Sequence, residues 1–305
     1  MQLFYYKDDI GNFGDDLNPW LWPKLLPDFF NDDPSELLVG IGTLLNHHLP
    51  SDKTLHIVGS GVGYGDIPQV TELWKVHAVR GPYSAKSLNL DPSCAITDSA
   101  LLLRNVMQPK HQASGDIGFM PHYLSCRSAD WQNIAESCGY RFISPEWSVE
   151  RVFAEMQQCR LMLCEAMHGA IVADALRIPW HPVLLSDKVN TVKWKDWLDT
   201  INIDFQPTTI RPYIHYANVG TKQYLKDEFK RTVRSFGFGK DWYPPQARNS
   251  SIKSKDETIA NLAALANTKR CYLSDENLQN RLLQQLNDAV EQMQYSSAEA
   301  GTYAR

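Results

Sequence analysis

A histidine between a predicted strand and a predicted helix has the type and position to do chemistry. The apolar run Leu161-Met162-Leu163 predicts a strand and the apolar spacing over residues 170–176 predicts a helix, so residues 165–169 form the turn. His168 then lies at a helix N-terminus, where unpaired N–H groups and the helix dipole favour an anion. Gly169 lets a ligand approach the backbone. The turn therefore predicts an anion site with a titratable imidazole, unless His168 is a hydrogen-bonded core residue.

The elements that must position this turn form two successive α/β halves. Alternating apolar strands, turns and helical segments are typical of a mostly parallel sheet in each half. Strands are predicted at residues 3–6, 37–41, 55–58 and 75–79, and again at 116–120, 140–143, 161–164 and 180–184. Helices are predicted in the second half at residues 131–137, 149–157 and 170–176. The polar stretch 107–115 is predicted to be the linker.

Only helices are predicted beyond about residue 215. They cover residues 223–236, 258–266 and 277–293. The last has an apolar stripe that should pack back on the sheets, formed by Leu278, Leu282, Leu286, Ala289 and Met293. The predicted units are residues 1–109, 110–215, 216–294 and a tail at 295–305.

Charge and composition exclude several classes of protein. A net charge of −5 argues against nucleic-acid binding, which needs a basic face. No apolar run approaches the ~20 residues of a membrane span, and the N-terminus does not resemble a signal peptide, so a cytoplasmic protein is expected. The six cysteines lack Cys-x-x-Cys spacing and are predicted to be buried thiols. No Walker A, G-x-S-x-G or H-E-x-x-H motif occurs, so no metal and no cofactor are predicted.

Several segments in order along the chain resemble the polysaccharide pyruvyl transferase family, in particular the branch that forms exopolysaccharide ketals. The most recognisable is Glu165-Ala166-Met167-His168-Gly169-Ala170-Ile171-Val172-Ala173-Asp174-Ala175-Leu176. The others are residues 11–18, 59–65, 79–84, 119–122 and 193–197. Many family members carry an arginine where this chain has Ala166, so another residue must make its anion contact here.

The resemblance implies a fold and a reaction. The fold is two doubly wound, Rossmann-like domains facing a cleft, as in glycosyltransferase-B enzymes, with residues 1–109 on the acceptor side, residues 110–215 on the donor side and a C-terminal helical extension. The donor is phosphoenolpyruvate, and the acceptor is a saccharide or a lipid-linked oligosaccharide. Protonation of the donor's methylene carbon makes C2 electrophilic, and two sugar hydroxyls then form a cyclic ketal as phosphate leaves.

The same resemblance suggests roles for particular residues. His168 is the candidate acid and base, because an imidazole can give and take protons near neutral pH. Glu165 would orient it or act as the base. Arg80 would clamp the donor's carboxylate or phosphate. The remaining predicted substrate-binding residues are Lys193, Lys195, His122, Asn12, Gly61, Gly63 and Gly169.

Two further segments have alternative interpretations. In residues 12–16, Asp15 or Asp16 is most simply an N-cap, and alternatively Asp15 binds acceptor hydroxyls or accepts a hydroxyl proton. The glycine-rich residues 59–65 lack the G-x-G-x-x-G spacing, which disfavours a nicotinamide enzyme. They form either a tight loop or a backbone surface that a sugar or carboxylate can approach.

Aromatic and basic residues also have alternative interpretations. Trp20, Trp22, Trp194 and Trp197 are expected in the core rather than stacked on sugars. The basic helix at 223–236 is either an ordinary packed helix or a contact with the inner face of the membrane. Two other functions stay open: a nucleotide-sugar glycosyltransferase and a non-catalytic sugar-binding subunit of a polysaccharide assembly complex.

Overall fold

The N-terminal half is built on a four-stranded parallel sheet. A computed structural model of the chain describes residues 1–109, 114–186, 189–210, 213, 221–235 and 252–303. The strands are β1 (Gln2–Phe4), β2 (Glu36–Val39), β3 (Thr54–Ser60) and β4 (Trp74–Val79), in the order β1-β2-β3-β4. Their largely apolar sequences suit a parallel sheet, whose two faces are both covered.

The second half contains a five-stranded parallel sheet. Its strands are β5 (Asp116–Met120), β6 (Arg141–Phe142), β7 (Cys159–Cys164), β8 (Trp180–Leu184) and β9 (Thr208–Thr209), in the order β6-β5-β7-β8-β9. The order reverses between β5 and β7, as it does in doubly wound sheets, where ligands bind beyond the strands' carboxyl ends. The first sheet has no such reversal, because its strands follow one another in chain order. The doubly wound pattern expected in both halves is therefore found in the second.

The helices surround both sheets. They are α1 (Phe13–Leu25), α2 (Pro82–Ser87), α3 (Tyr123–Cys126), α4 (Trp131–Ser137), α5 (Val149–Met156), α6 (Met167–Ala175), α7 (Thr191–Leu198), α8 (Thr221–Ser235), α9 (Ile252–Ala263) and α10 (Glu276–Tyr303). Short 3₁₀ helices occur at Pro92–Cys94, Ser99–Asn105, Asp199–Ile201 and Ala264–Asn267. The predicted strands all form, with bounds shifted by a few residues. Helices α2, α3 and α7 and strand β9 were not predicted.

The two halves share one hydrophobic core. Its cluster of buried side chains includes Leu38 of β2, Val58 of β3 and Met120 of β5. Helix α6 is buried on every side except at His168, and most of its side chains belong to this cluster, so its N-terminus is held between the halves. Residues 110–113 of the predicted linker lie outside the described residues, and the boundary at 109/110 stays a prediction.

The last helix packs back on the shared core as the stripe predicted. Leu282, Leu286, Ala289 and Met293 are buried, and Leu278 is partly buried against them. Helix α10 continues to Tyr303, where the sequence analysis expected a tail from residue 295. No helix in the described part of the chain has the length and apolar composition to cross a bilayer.

A buried carboxylate anchors this C-terminal region to α6. Asp174 accepts hydrogen bonds from the backbone N–H of Ser274, from Nε2 of Gln279 and from Nε1 of Trp180. Asp174 belongs to the same sequence block as His168, and its task is structural.

The tryptophans lie where the sequence predicts, and the cysteines do so in part. Trp22, Trp194 and Trp197 are buried in the shared core, and Trp20 is packed against it. All six cysteines are free thiols, but only two of them are buried, Cys159 and Cys164. Cys94, Cys126 and Cys138 are half-buried, and Cys271 is exposed.

Candidate active site

A cavity of about 850 Å³ lies at the carboxyl ends of strands from both sheets. Its walls come from segments that follow β1, β2 and β3 of the first half and β5, β6, β7 and β8 of the second. Its lining residues are Phe4, Tyr5, Tyr6, Lys7, Asn12, Phe13, Gly14, Asp15, Thr43, Leu44, Asn46, His48, Tyr64, His122, Tyr123, Pro145, Ala166, Met167, His168 and Lys193. The cavity therefore contains the crevice that the reversal of strand order between β5 and β7 predicts.

Two helix N-termini open on this cavity without a side-chain cap. Helix α1 begins after Asn12 and helix α6 after Ala166, and neither N-cap side chain accepts a hydrogen bond from a backbone N–H of the first turn. In contrast, His122 caps α3 and Asn190 caps α7 through their side chains. Uncapped N–H groups and two helix dipoles make this part of the wall suitable for an anion.

The imidazole of His168 faces a carboxylate, Asp98, that was not among the predicted site residues. Nε2 of His168 lies 3.6 Å from Oδ2 of Asp98. Both atoms are buried, and neither has a hydrogen-bond partner in the described part of the chain. Oδ1 of Asp98 accepts from the N–H of Ala100 and caps the 3₁₀ helix Ser99–Asn105. The carboxylate is thus fixed by its own helix and faces the imidazole.

Gly14 of α1 packs against the other nitrogen of this imidazole. A Cβ at Gly14 would lie 2.1 Å from Nδ1 of His168, so no residue larger than glycine fits. Gly14 and His168 both line the cavity. Nδ1 is therefore the ring nitrogen on the cavity side, and Nε2 faces Asp98 on the other side. Asp98 has a local sequence signal that could have identified it: an aspartate directly before an apolar run is typical of an N-cap.

Asp15 and Lys193 contribute opposite charges to the same wall. Burial raises the pKa of Asp15 to about 6, against the opposing effect of His168 and Lys193. Burial, together with the positive charge of Arg80, lowers the pKa of Lys193 to about 8. Nζ of Lys193 donates to Oη of Tyr64 at 2.8 Å. The cavity therefore holds a carboxyl and an amine that both change charge close to neutral pH.

The N-cap interpretation of Asp15 and Asp16 is wrong. The N-cap of α1 is Asn12, because the helix begins at Phe13 rather than near Asp16. The side-chain amide of Asn12 donates to Asp15, and its backbone N–H donates to Oδ2 of Asp16. Asp15 thus stands inside the first turn with its carboxylate on the cavity wall.

His122 and Glu165 lie together at the carboxyl ends of β5 and β7, but only His122 lines the cavity. Burial, followed by the charge of Lys193, lowers the pKa of His122 to about 3, so its ring is neutral. The oxygens of Glu165 accept from the backbone N–H groups of His122 and Leu185, each at 2.9 Å. Burial raises the pKa of Glu165 to about 7 against these bonds. Glu165 joins the segments that follow β5 and β8 through these two hydrogen bonds. It does not orient His168, because the carboxylate that faces the His168 ring is Asp98.

The structure does not bring Arg80 to the cavity. Its guanidinium is fully buried and pairs with Asp196 of α7, with 3.1 Å between Nε and Oδ2. Nη1 donates to Oγ1 of Thr43 and Nη2 to the carbonyl of Val62. The donors that were expected to clamp a substrate are therefore occupied by the protein. Arg80 joins the first half to α7 through Asp196, which is three residues after Lys193.

Four other predicted binding residues also lie away from the cavity lining. Lys195 is exposed on α7. A Cβ at Gly61 would lie 2.5 Å from Cζ of Arg80, and one at Gly169 would lie 2.6 Å from Sδ of Met120. The carbonyl of Gly63 accepts from the side chain of Asn190. Close packing between elements requires glycine at positions 61 and 169, so a ligand contact is not needed to explain these glycines.

Comparisons with known proteins show the family of this chain. The family described as polysaccharide pyruvyl transferase matches residues 14–187, a span that includes Asp15, Asp98 and His168. The chain is 38% identical over 216 residues to the succinoglycan biosynthesis protein ExoV of Rhizobium meliloti (strain 1021), which covers 69% of this chain and 68% of that protein. The chain belongs to the polysaccharide pyruvyl transferase family.

Proposed function

We propose that this chain transfers the pyruvyl group of phosphoenolpyruvate to two hydroxyls of a sugar in an exopolysaccharide or its lipid-linked precursor. The product is a cyclic pyruvate ketal, and phosphate is released without a further cofactor. Family membership supports pyruvyl transfer to a saccharide. The name of the Rhizobium relative, succinoglycan biosynthesis protein, supports an exopolysaccharide as the acceptor.

The observation that carries the proposal is the meeting of Asp15, His168 and Lys193 in one cavity with two uncapped helix N-termini. Phosphoenolpyruvate carries a carboxylate and a phosphate, and desolvating such charges without compensation is unfavourable. Lys193 supplies a buried positive charge, and the two N-termini supply N–H donors. Ala166 stands at one of these N-termini, so cation and backbone together replace the arginine found there in many relatives.

Each chemical step has a residue suited to it. His168 begins as the imidazolium, whose charge Asp98 balances, and it becomes a neutral imidazole when Nδ1 donates its proton to the methylene carbon. The first sugar hydroxyl then adds to C2 and gives its proton to Asp15. The second hydroxyl attacks C2 and its proton is taken up by the neutral His168 imidazole. The C2–O bond to phosphate breaks, and the proton held by Asp15 passes to the leaving phosphate. One donor and one diol thus become one ketal and one phosphate.

The position of the cavity also supports the glycosyltransferase-B-like arrangement implied by the family. Segments after β1 and β3 of the first half provide Asp15 and Tyr64, on the side proposed for the acceptor. Helix α6 and α7 of the second half provide His168 and Lys193, on the side proposed for the donor.

The reaction is tested with purified protein, phosphoenolpyruvate and succinoglycan oligosaccharides treated with mild acid, which hydrolyses any ketals they carry. We expect phosphate release that depends on the oligosaccharide and a new ketal methyl signal in the proton NMR spectrum. His168→Ala protein serves as the control for contaminating phosphatase. Phosphate release equal in wild type and control, without a methyl signal, would contradict the proposal.

Thermal denaturation separates the other two functions. Phosphoenolpyruvate should raise Tm, because a ligand that binds the folded state stabilises it. Stabilisation by nucleoside diphosphates alone would favour the glycosyltransferase. Stabilisation by saccharide alone, without turnover, would favour the non-catalytic subunit.

The exposed side chains of helix α8 favour a contact with an anionic membrane surface. A lipid-linked acceptor would reside in such a membrane. Leu225 and Phe229 are each more than 60% exposed, one helical turn apart. Lys222 and Lys226 lie on the same helix and are exposed. We expect sedimentation with phosphatidylglycerol vesicles, and loss of it in Leu225→Ser/Phe229→Ser protein. If the double variant sediments as much as wild type, α8 does not make the membrane contact.

A further inference from the structure

Tyrosine rings from both halves line the mouth of the cavity. Tyr5 and Tyr6 follow β1, Tyr64 follows β3, and Tyr123 begins α3. Tyr6 is 54% exposed and Tyr64 is 44% exposed, whereas Lys193 and His122 on the same cavity are buried. The titratable groups are thus deeper than the exposed aromatic rings, and Tyr64 connects the two regions through its bond to Lys193.

The exposure of Tyr6 and Tyr64 contrasts with the burial of the largest tryptophan side chains. Trp22, Trp131, Trp180 and Trp194 are fully buried. Tyr6 has neither a ring contact nor a hydrogen bond to any described residue. Exposure alone does not indicate a ligand site, because Tyr83 and Tyr295 are exposed elsewhere. The observation that does is the position of four tyrosines together in the lining of one cavity.

We propose that Tyr5, Tyr6, Tyr64 and Tyr123, the tyrosine wall, bind the acceptor saccharide by stacking on its pyranose rings. This inference rests on the proposed function and assigns the acceptor to the mouth of the same cavity. A pyranose presents a face of C–H groups bordered by hydroxyls. A tyrosine ring matches the apolar face, and its hydroxyl can bond the polar border.

Contacts of Arg127 hold Tyr123, and the loop that carries Tyr6, in place before any sugar binds. Arg127 lies over the ring of Tyr123 at 5.4 Å and donates to Oδ1 of Asp8 at 2.9 Å. Asp8 is two residues after Tyr6, so Arg127 ties the loop of the first half to α3 of the second. Such pre-organisation reduces the conformational entropy that is lost when the sugar binds.

The geometry also directs the bound sugar towards the reacting groups. Tyr64 lies at one end of the tyrosine wall, and its hydroxyl contacts Lys193, whose charge acts on Asp15. A sugar stacked here would have its hydroxyls near the carboxylate proposed to take their protons. The cavity, at about 850 Å³, lies in the upper part of the ~300–1,000 Å³ range typical of ligand pockets, which leaves room for a sugar beside the donor.

Saccharide binding is measured without phosphoenolpyruvate, by saturation-transfer NMR with cellobiose, lactose and acid-treated succinoglycan oligosaccharides. We expect binding to wild type and to Tyr6→Phe, and weaker binding to Tyr6→Ala and Tyr123→Ala by roughly two- to tenfold for each ring. Tyr83→Ala and Tyr295→Ala are matched controls, because these tyrosines are 44% and 65% exposed and lie away from the cavity.

The two proposals fail in different ways. If the alanine variants lose saccharide binding but wild type releases no phosphate from phosphoenolpyruvate, the tyrosine wall stands and pyruvyl transfer does not. If wild type makes the ketal and the variants keep its acceptor KM, pyruvyl transfer stands and the tyrosine wall is wrong. Absence of binding by all three saccharides to wild type also overturns the tyrosine wall.

Discussion

Oδ2 of Asp98 lies 3.6 Å from Nε2 of His168, and both atoms are buried without another polar partner in the described part of the chain. A carboxylate in this position fixes the orientation of the imidazole and balances its charge when the ring is protonated. The other nitrogen, Nδ1, is then the one left for chemistry beside Gly14.

Asp98→Asn should lower kcat by about a hundredfold or more, because an amide does not balance an imidazolium. The asparagine oxygen still accepts from Ala100, so the 3₁₀ helix keeps its cap. Steady-state kinetics and denaturant unfolding of the same protein separate the two effects. Asp91→Asn is the matched control, since Asp91 caps the preceding 3₁₀ helix in the same way at the surface. A loss of stability without a loss of kcat would make Asp98 a structural cap only.

The pH dependence of kcat/KM should be bell-shaped. Asp15 must be ionised to take a proton, so activity rises as the pH increases through its pKa of about 6. Lys193 must be charged to hold an anion, so activity falls as the pH increases through its pKa of about 8. Asp15→Asn should be slow and lack the acid limb, and Lys193→Arg should lose the alkaline limb. An unchanged acid limb in Asp15→Asn would assign it to another group.

Lys193→Ala should weaken phosphoenolpyruvate binding by roughly ten- to a hundredfold, which corresponds to one charge-assisted contact. Isothermal titration calorimetry measures this change directly. Lys195→Ala is the control, because Lys195 is two residues away on α7 and points to solvent. Equal affinities of the two variants would show that the helix N-termini hold the donor without Lys193.

Glu165→Gln should act on stability and not on the chemical step. One oxygen of Glu165 accepts from His122 and the other from Leu185, so an amide must turn its NH₂ towards one of these N–H groups. We expect a loss of ~1–3 kcal/mol in the free energy of unfolding at pH 8, with kcat within threefold. A large fall in kcat at unchanged stability would return Glu165 to the proton-transfer role that the sequence suggested.

The sequence predicted those features whose signals are local. The apolar run of β7 and the helical spacing of α6 lie side by side in the chain, so the turn carrying His168 was predicted correctly. Five of the predicted site residues line the cavity, because they follow strand ends of parallel sheets. These are Asn12, Asp15, His122, His168 and Lys193.

The features missed depend on contacts between distant parts of the chain. Arg80 follows a strand end, but its partner Asp196 is 116 residues away and leaves no local pattern. Asp98 likewise faces His168 across the shared core. Glycines at 61 and 169 suggested ligand contact, although glycine is equally required where Arg80 and Met120 pack closely. Composition and periodicity do not distinguish these two uses of glycine.

The most direct test of the central claim is a comparison of wild type and His168→Ala in the ketal-forming assay. With phosphoenolpyruvate and acid-treated succinoglycan oligosaccharides, wild type should release phosphate and produce the ketal methyl signal together. His168→Ala should be slower by about 10²–10⁴-fold, the range of general acid–base catalysis, with an unchanged Tm. Turnover by His168→Ala within threefold of wild type would contradict the account.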